Sequence, residues 1–553
     1  MIRLLRKYTV STIVLTVLIA AFLIWNNSRG FDDTVMANIP EYDDSEVESI
    51  LAGEDIQSML EPSFFEYYEE HSKAGVEDTE GFELSIPSMD YSAISNQDTE
   101  IKTELGERAE EVVALLDQEG WVEYTFEVPE DGYYQMGMSY YTLKGKRSSL
   151  VRSLKINGEY PFFQAKKLTF QRMWEEDSEP WLDNQGNEFN PSRTEVFGWQ
   201  YKELYDSEAK VSEPLRFYLT AGEHTVRIEA VREPAAIGEL RIFSPLDHPV
   251  YEEVLHSYQE KGYDEVEDIK IKIQAEEASL RSDPTLRRIE DREPITEPFN
   301  PDVITLNAFG GPGWRSGEQW AEWEFEVPES GLYNIGMRYG QWFLNGVPTQ
   351  RKITIDGELP FKEMNEVLYP YEPNFQMKQL GAEGEDYLFY LEKGKHTLRM
   401  EVQVGALGEL LEAVRVTTNQ LSLLGREIIR VTGTEPDPNA DWNLEASITN
   451  IVPRLHVMAR TMDDVIQSLY DLGVDAGSSD ISTLYEVRDT LIDMAEQTSS
   501  IPGRMETINN LQSSLGLWIN GLSEQSLLLD YILIQSPDKE WPEPVALGIY
   551  EQG

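Results

Sequence analysis

The segment Gly120-Trp-Val-Glu-Tyr-Thr-Phe-Glu-Val-Pro-Glu-Asp-Gly132 recurs as Gln319-Trp-Ala-Glu-Trp-Glu-Phe-Glu-Val-Pro-Glu-Ser-Gly331, an offset of 199 residues (320 − 121). A later pair, Phe217–Glu229 and Phe389–Glu401, keeps an offset of only 172 (389 − 217). The chain is therefore duplicated, and its first copy carries a 27-residue insertion (199 − 172) between Phe162 and Phe217. Two further matches share the larger offset: Tyr134–Met138 with Tyr333–Met337, and Ile156–Phe162 with Ile355–Phe361.

The repeated segments alternate with a period of two residues. Trp323, Phe325 and Val327 share one face of the segment, and Trp320 shares the other with three glutamates. This pattern predicts half-buried strands, and Asn157-Gly158 and Asp356-Gly357 predict tight hairpins. Many short strands joined by turns predict an antiparallel β-sandwich in each copy.

Helical patterns flank the two copies. A short helix is predicted before each sandwich, over 62–75 and 249–262, because each segment opens with Pro and closes with Gly. After Glu401 the spacing predicts four helices, near 407–428, 444–472, 482–497 and 503–522. The apolar run Leu527–Ile534 then has strand character, and sandwich two lacks a strand equivalent to Gly238–Phe243 of sandwich one. We therefore expect a four-helix bundle inserted before the last strand of the second sandwich.

Composition excludes several function classes. The 553 residues include 100 Asp and Glu against 46 Lys and Arg, a net charge of −54, which repels nucleic acid. The absence of Cys excludes disulfides and thiolate sites, and six His leave little for zinc chemistry. With no G-x-S-x-G, H-E-x-x-H or P-loop sequence, we expect no enzyme.

The N-terminus predicts a membrane segment. Arg3, Arg6 and Lys7 precede an apolar run that ends near Trp25, close to the minimum length of a membrane span. The flank has no A-x-A cleavage pattern, which favours an uncleaved single-pass anchor with an extracellular bulk over a cleaved signal peptide and a secreted protein. The membrane is expected to be contacted only through this segment.

Six segments are expected along the chain. They are a membrane anchor or signal segment (1–25), an acidic stalk (26–61) with a short helix near 45–51, a helix plus the first sandwich (62–246), a helix plus the second sandwich (247–405), the helical bundle insertion (406–526), and the last strand of sandwich two with the C-terminal tail (527–553).

Several motifs carry a family resemblance. Ile273-Gln-Ala-Glu-Glu-Ala278, Gln319–Phe325, Gly394–Glu401 and Leu529–Ile532 resemble the jelly-roll carbohydrate-binding modules of families six and thirty-five. The order of anchor, two modules and helices is similar to the N-terminal accessory region of large extracellular solute-binding proteins of Gram-positive sugar importers, over about residues 62–540. Those proteins continue into a two-lobed substrate domain and this sequence stops at Gly553, so the resemblance does not carry over solute capture itself.

The resemblance also implies a structural calcium ion. Modules of these families hold Ca²⁺ with alternate residues of the first strand and an acid of the last strand. The matching residues in sandwich two are Gln274, Glu276 and Asp530, whose oxygens suit a hard cation. The aligned residues of copy one are Pro87 and Met89, which cannot coordinate it, so calcium is expected in the second sandwich only.

Sugar binding requires aromatic faces that stack on pyranose rings, with polar groups nearby. The interpretation as core or loop packing remains open for each aromatic residue, and Trp121 and Trp320 occupy equivalent positions with an expected structural role. The carbohydrate-binding candidates are Trp314, Tyr339, Trp342 and Phe343 in copy two, and Tyr140, Tyr141, Trp174, Trp181 and Trp199 in copy one.

Two functions are consistent with these features. The first is an extracellular, membrane-anchored carbohydrate-binding protein that binds an oligo- or polysaccharide, as the non-catalytic accessory part of a system that includes a sugar ABC importer. The second is a structural or interaction module at the cell surface whose sandwiches have lost sugar binding.

Overall fold

The computed structural model describes residues 36, 39–51, 61–344, 346–382, 384–437, 440 and 442–543. The predicted membrane segment and most of the predicted stalk lie outside the described residues. Two compact units divide the chain, one formed by 58–412 with 520–553 and the other by 1–57 with 413–519. The first unit contains both sandwiches and the second contains most of the helical region.

Sandwich one follows helix α2 (Phe64–Lys73), which begins with a capping box between Ser63 and Glu66. One antiparallel sheet has the order β13-β6-β16-β4-β3, with β1 on β16 and β14 on β6, and the second has the order β2-β5-β15-β7-β8. The strands are β1 Glu83–Pro87, β2 Ala93–Ile94, β3 Thr99–Lys102, β4 Val112–Leu115, β5 Trp121–Val128, β6 Gly132–Thr142, β7 Leu150–Ile156, β8 Leu168–Phe170, β9 Met173–Glu176, β10 Trp181–Leu182, β11 Glu188–Phe189, β12 Arg193–Val196, β13 Trp199–Glu203, β14 Phe217–Leu219, β15 Gly222–Arg232 and β16 Ala235–Phe243.

Sandwich two repeats this plan after helix α3 (Tyr251–Lys261), which ends at Gly262 with a left-handed φ of 67°. Its first sheet has the order β19-β20-β30-β22-β25, and the second contains β18-β21-β29-β23-β24. The strands are β17 Lys270–Gln274, β18 Leu280–Arg281, β19 Arg288–Ile289, β20 Ala308–Gly311, β21 Trp320–Val327, β22 Gly331–Gln341, β23 Thr349–Ile355, β24 Val367–Tyr369, β25 Glu372–Gln379, β26 Gly381–Ala382, β27 Glu385–Asp386, β28 Phe389–Leu391, β29 Gly394–Gln403 and β30 Leu527–Gln535.

The predicted insertion topology is confirmed by β30. This strand pairs with β17, β20 and β22, and all nine of its residues are buried. It occupies the position that β16 holds in sandwich one, between the first strand and the strand that follows the Pro-Glu turn. The helical sequence therefore interrupts sandwich two just before its last strand.

The insertion of copy one extends a sheet of sandwich two, which the sequence did not predict. Strands β12 and β9 add to the edge of β18 through the pairing of Trp174 with Arg281. Both carboxylate oxygens of Glu176 are paired at this edge, one with Arg281 and one with Arg288, each at 2.8 Å. Sandwich one thus supplies two strands and a buried counter-charge to sandwich two.

The helical region contains α4 (Leu407–Thr432), α5 (Leu444–Ser447), α6 (Ile451–Asp471), α7 (Ser479–Glu496) and α8 (Met505–Ser523). The single helix predicted over 444–472 is broken at 448–450, because Pro453 lacks an N–H and is tolerated only in the first turn of a helix. Among the described residues, none of these helices is long and apolar enough to cross a bilayer.

Part of the predicted stalk is folded. Helix α1 (Asp44–Leu51) forms where the short helix was predicted. The Leu51 carbonyl accepts a hydrogen bond from Gln420 at 3.3 Å, and the Ile39 carbonyl accepts one from Arg460 at 2.8 Å. Residues 39–51 therefore pack on the helical unit and are not a free spacer.

Candidate functional site

Four of the nine predicted sugar-stacking aromatics are core residues. Trp314 has no exposed surface, its indole N–H donates to the Gln319 carbonyl at 3.1 Å, and the Arg351 guanidinium lies 4.5 Å from its ring centroid. Tyr339, Tyr140 and Trp174 are also buried. A pyranose cannot reach these rings, so the sequence interpretation is corrected: they stabilise the sandwiches because large apolar rings contribute most when fully buried.

Four further candidates are half-buried and pack in small clusters. Trp342 lies 5.5 Å from Phe375 and 5.6 Å from Phe343. Tyr141 lies 5.5 Å from Trp199. Among the nine candidates only Trp181 is exposed, with 54% of its surface accessible.

The predicted metal ligands lie together at one edge of sandwich two. Gln274 ends β17, Glu276 follows it in a short 3₁₀ turn, and Asp530 lies on β30, the partner of β17. The Gln274 Oε1 and Glu276 Oε2 atoms are buried without a hydrogen-bond partner. Burial of Glu276 raises the pKa of its carboxyl to about 8, and the nearby Glu277 and Asp530 carboxylates act in the same direction.

One ligand already has partners. The Asp530 carboxylate accepts hydrogen bonds from Arg338 Nη1 at 2.9 Å and from the Glu297 backbone N–H at 3.1 Å. Burial nevertheless raises the pKa of Asp530 to about 7. Unpartnered oxygens beside a desolvated carboxylate fit a hard oxygen-liganded cation. Within the described residues no group of three or more His, Asp or Glu could hold a metal ion, and the predicted set contains two carboxylates and the amide of Gln274.

Sandwich one has a different set of side chains at the position equivalent to Asp530. Leu240 pairs with Met138 as Ile532 pairs with Met337, so Gly238 is the counterpart of Asp530. Both last strands have a register shift there, the kind of irregularity that often adjoins sites. A side chain at Gly238 would meet Trp199 at 2.8 Å and Arg108 at 3.0 Å. Arg108 stacks on Trp199 at 4.3 Å, so a fixed guanidinium and an indole fill the space next to that position in copy one.

A groove on the outer face of sandwich one was missed from the sequence. It has a volume of about 780 Å³ and is lined by Trp121 and Tyr160 with the polar residues Ser95, Asn96, Gln97, Gln118, Glu119, Ser153 and Glu229. Trp121 is half-buried, and the Arg227 guanidinium lies 4.0 Å from its ring centroid. Glu123 in turn holds Arg227 through a 2.9 Å contact. The indole is therefore fixed in orientation by a cation that is itself held.

Glu229 is fixed by three donors. Ser153 and Tyr160 each donate to its Oε2 at 3.1 Å, and Lys155 donates to Oε1 at 2.9 Å. Although burial acts to raise the pKa of Glu229, these donors hold it below the ordinary value. The groove therefore contains an ionised, oriented acceptor beside an oriented aromatic ring.

The same face of sandwich two is covered by sandwich one. Lys352 donates to the hydroxyl of Tyr205 at 2.8 Å, and the Val404 N–H donates to the Ala209 carbonyl at 2.9 Å. The counterpart of Trp121, Trp320, is only 4% exposed under Arg399 at 3.8 Å. Both tryptophans lie under an arginine that is paired with a glutamate, as an equivalent structural role predicts, but Trp320 is buried whereas Trp121 is half-buried and lines an open surface.

A sequence signal for this groove exists in the repeat alignment. At the shared offset, Ser153 replaces Lys352 and Tyr160 replaces Leu359, so the open face gains two hydroxyls. Without the structure nothing showed which copy is covered, because that depends on how the sandwiches dock.

Comparison with known proteins supports part of the sequence interpretation. Residues 409–524 match the family described as bacterial solute-binding protein, 4-helix bundle domain. The helical region is therefore similar to a domain of bacterial solute-binding proteins, as the resemblance predicted. No curated protein sequence matches the chain.

Solved structures of single modules align with parts of the chain. A family 35 carbohydrate-binding module from Clostridium thermocellum is 14% identical, with a TM-score of 0.20, and covers 30% of this chain and 99% of its own. The C-terminal family 6 module of LamC from Zobellia galactanivorans is 14% identical, with a TM-score of 0.18, and covers 29% and 99%. A module of Cellvibrio mixtus lichenase 5A in complex with cellotriose is 15% identical, with a TM-score of 0.17, and covers 29% and 95%.

Proposed function

We propose that this chain is an extracellular, non-catalytic carbohydrate-binding protein and that the groove of sandwich one is its sugar site. The observation that carries the proposal is the difference between the two copies. The face that is packed away in sandwich two is open in sandwich one, and there it has gained Ser153 and Tyr160. Packing alone does not explain why the hydroxyls of Ser153 and Tyr160 are oriented on the carboxylate of Glu229 at an open surface.

The chemistry of the groove suits a neutral sugar. Trp121 offers a ring face for the apolar side of a pyranose, and Glu229 accepts hydrogen bonds from sugar hydroxyls. Asn96, Gln97 and Gln118 both donate and accept, as vicinal hydroxyls require. An anionic sugar would meet the Glu229 charge and the field of a chain with net charge −54.

The cellular setting forms part of the same proposal. Residues 1–25 would anchor the chain in the membrane with its bulk outside, and the bundle similar to that of solute-binding proteins would associate it with a sugar ABC importer. Sandwich two would hold a structural calcium ion through Gln274, Glu276 and Asp530, where two oxygens lack partners. Such an ion would link the first strand of the sandwich to its last.

Affinity electrophoresis of the full chain in gels containing neutral polysaccharides tests the proposal. We expect at least one polymer to retard the protein and Trp121→Ala to weaken binding at least tenfold, about 1.4 kcal/mol. The double variant Ser153→Lys with Tyr160→Leu should do the same. The two new residues are those found at the equivalent positions of sandwich two, Lys352 and Leu359. Because the sandwich fold already accommodates them there, the double variant should fold.

The matched control is Phe163→Ala, because Phe163 is 60% exposed and lies outside the groove. Its migration should be unchanged. If no neutral polymer retards the protein, or if Trp121→Ala and the double variant bind as tightly as the native chain, the structural or interaction module is the better assignment.

A further inference from the structure

The insertion of copy one carries an exposed aromatic pair. Trp181 and Phe189 face each other across the β10–β11 hairpin with ring centroids 4.2 Å apart and an interplanar angle of 11°. Trp181 is 54% exposed, Phe189 39%, and the adjacent Leu182 62%. The hairpin lies in the insertion that copy two lacks, so the sandwich fold does not require it. Such a concentration of exposed apolar surface indicates a binding role.

The hairpin is held rigidly against sandwich two. The Glu188 N–H donates to the Ile304 carbonyl at 2.9 Å, and the Ile304 N–H donates to Asn187 Oδ1 at 2.9 Å. The Leu306 N–H donates to Glu188 Oε2 at 2.7 Å. Asp183 closes the tip by accepting from the Asn187 side chain at 2.9 Å. The aromatic pair is therefore presented on a fixed support, which lowers the entropic cost of binding.

A cleft begins at the same hairpin. It has a volume of about 1210 Å³, and its walls come from both copies: Asn187 from the insertion, and the 290–307 loop with Pro373 and Asn374 from sandwich two. Asn300 and Asn374 contribute side-chain amides to the cleft, whereas the amides of Asn187 and Asn307 are already bonded within the protein. Sandwich two supplies most of the cleft, and the insertion of copy one reaches it through Asn187.

We propose that this composite cleft, together with the Trp181–Phe189 pair of the hairpin that reaches it through Asn187, is a second glycan site that takes a segment of a neutral polysaccharide. The glycan class rests on the proposed function, but the site shares no residue with the groove. A cleft of this volume on the same hairpin as an exposed aromatic pair suits consecutive sugar units, whose rings stack on aromatic faces and whose hydroxyls bond to amides. Glu290, Asp291, Glu293 and Asp302 outnumber Arg292 in the cleft wall, so uronate or sulfated chains are disfavoured.

Affinity electrophoresis of the full chain tests the proposal with the same neutral polymers and with polygalacturonate. Trp181→Ala and Phe189→Ala should each weaken binding to a neutral polymer at least fivefold, and polygalacturonate should not retard the native chain. Trp181→Ala combined with Trp121→Ala should bind more weakly than either single variant. Phe163→Ala is again the control, and both exposed positions tolerate Ala without loss of folding, checked by thermal denaturation.

The outcomes separate the two sites. If Trp121→Ala weakens binding while Trp181→Ala and Phe189→Ala do not, the composite cleft is wrong and the groove stands. If only the hairpin variants weaken binding, the cleft stands and the groove is wrong. Two further results would overturn the cleft as a neutral-glycan site. One is retardation by polygalacturonate that depends on Trp181. The other is a loss of binding to phosphatidylglycerol vesicles in the hairpin variants without any loss of glycan binding.

Discussion

At the scale of single residues, the duplication supplies an internal comparison. Asp530 and Gly238 occupy the same position of the last strand in the two copies. The first carries a carboxylate, and the second has no side chain. In sandwich two the Gln274 Oε1 and Glu276 Oε2 atoms are buried without a hydrogen-bond partner, whereas in sandwich one Arg108 and Trp199 lie next to Gly238. Asp530 has Arg338 as a charged partner, so a bound cation would satisfy chiefly the oxygens of Gln274 and Glu276, for which copy one has no equivalent.

This comparison predicts a calcium response located in sandwich two. Calcium should raise the melting temperature of the full chain by a few degrees and EDTA should reverse the rise, since a ligand at a hundredfold excess over its Kd adds about 2.7 kcal/mol. Glu276→Gln should remove the response. Glu277→Gln is the matched control, because Glu277 is adjacent and exposed. A full calcium shift in Glu276→Gln would remove this site from consideration.

A second residue-scale prediction concerns pH. Burial, opposed by Lys202 and aided by Glu401 and Asp206, raises the pKa of Glu318 to about 7. The folded state therefore binds a proton that the unfolded state releases near pH 4.5, the ordinary value for Glu. This group's contribution to stability is full below pH 4.5 and is lost as the pH rises through 7.

Glu318→Gln should accordingly flatten the fall in melting temperature between pH 5 and pH 8, measured by thermal denaturation. The Lys202 contact, 2.5 Å in the native chain, can still be made to the amide oxygen. Glu324→Gln changes an exposed carboxylate of β21, the strand that follows Glu318, and should leave the pH slope as it is. Identical slopes for the native chain and Glu318→Gln would contradict the prediction.

At the scale of elements, the shared sheet makes the sandwiches interdependent. Glu176 of β9 is paired with the buried guanidinium of Arg281 and with Arg288. Glu176→Gln should lower the free energy of unfolding by about 3–5 kcal/mol in urea denaturation, because it leaves a buried cation without its counter-charge. Glu179→Gln should change it by less than about 0.5 kcal/mol, since Glu179 is 91% exposed and 3.8 Å from Arg288. Equal effects of the two substitutions would mean that the edge pairing is weak.

Local sequence patterns were enough to predict most helices and strands. The pairing of strands that lie far apart in the sequence was not predictable in the same way. Alternation in Trp320–Val327 and the apolar run of β30 were enough to predict two sandwiches and the interrupted last strand, because each face of a strand is encoded by its own residues. The addition of β9 and β12 to the other copy was not predictable, because free edges accept strands from anywhere in the chain. Aromatic residue type likewise did not separate the buried Trp314 from the exposed Trp181.

At the scale of the whole molecule, the helical region is an insertion between two consecutive strands of sandwich two, β29 and β30. The chain leaves sandwich two after β29, forms α4 to α8, and returns as β30 between β20 and β22. Subtilisin should cut first in the loops between helices, at exposed residues of 433–437 and 472–477. Because β30 is fully buried and paired with three strands, the nicked C-terminal fragment should co-elute with the N-terminal fragment on size exclusion and separate from it only in denaturant. A fragment beginning near 434 that elutes alone and folded would show that strand 527–535 does not complete sandwich two, and the interrupted topology would then be wrong.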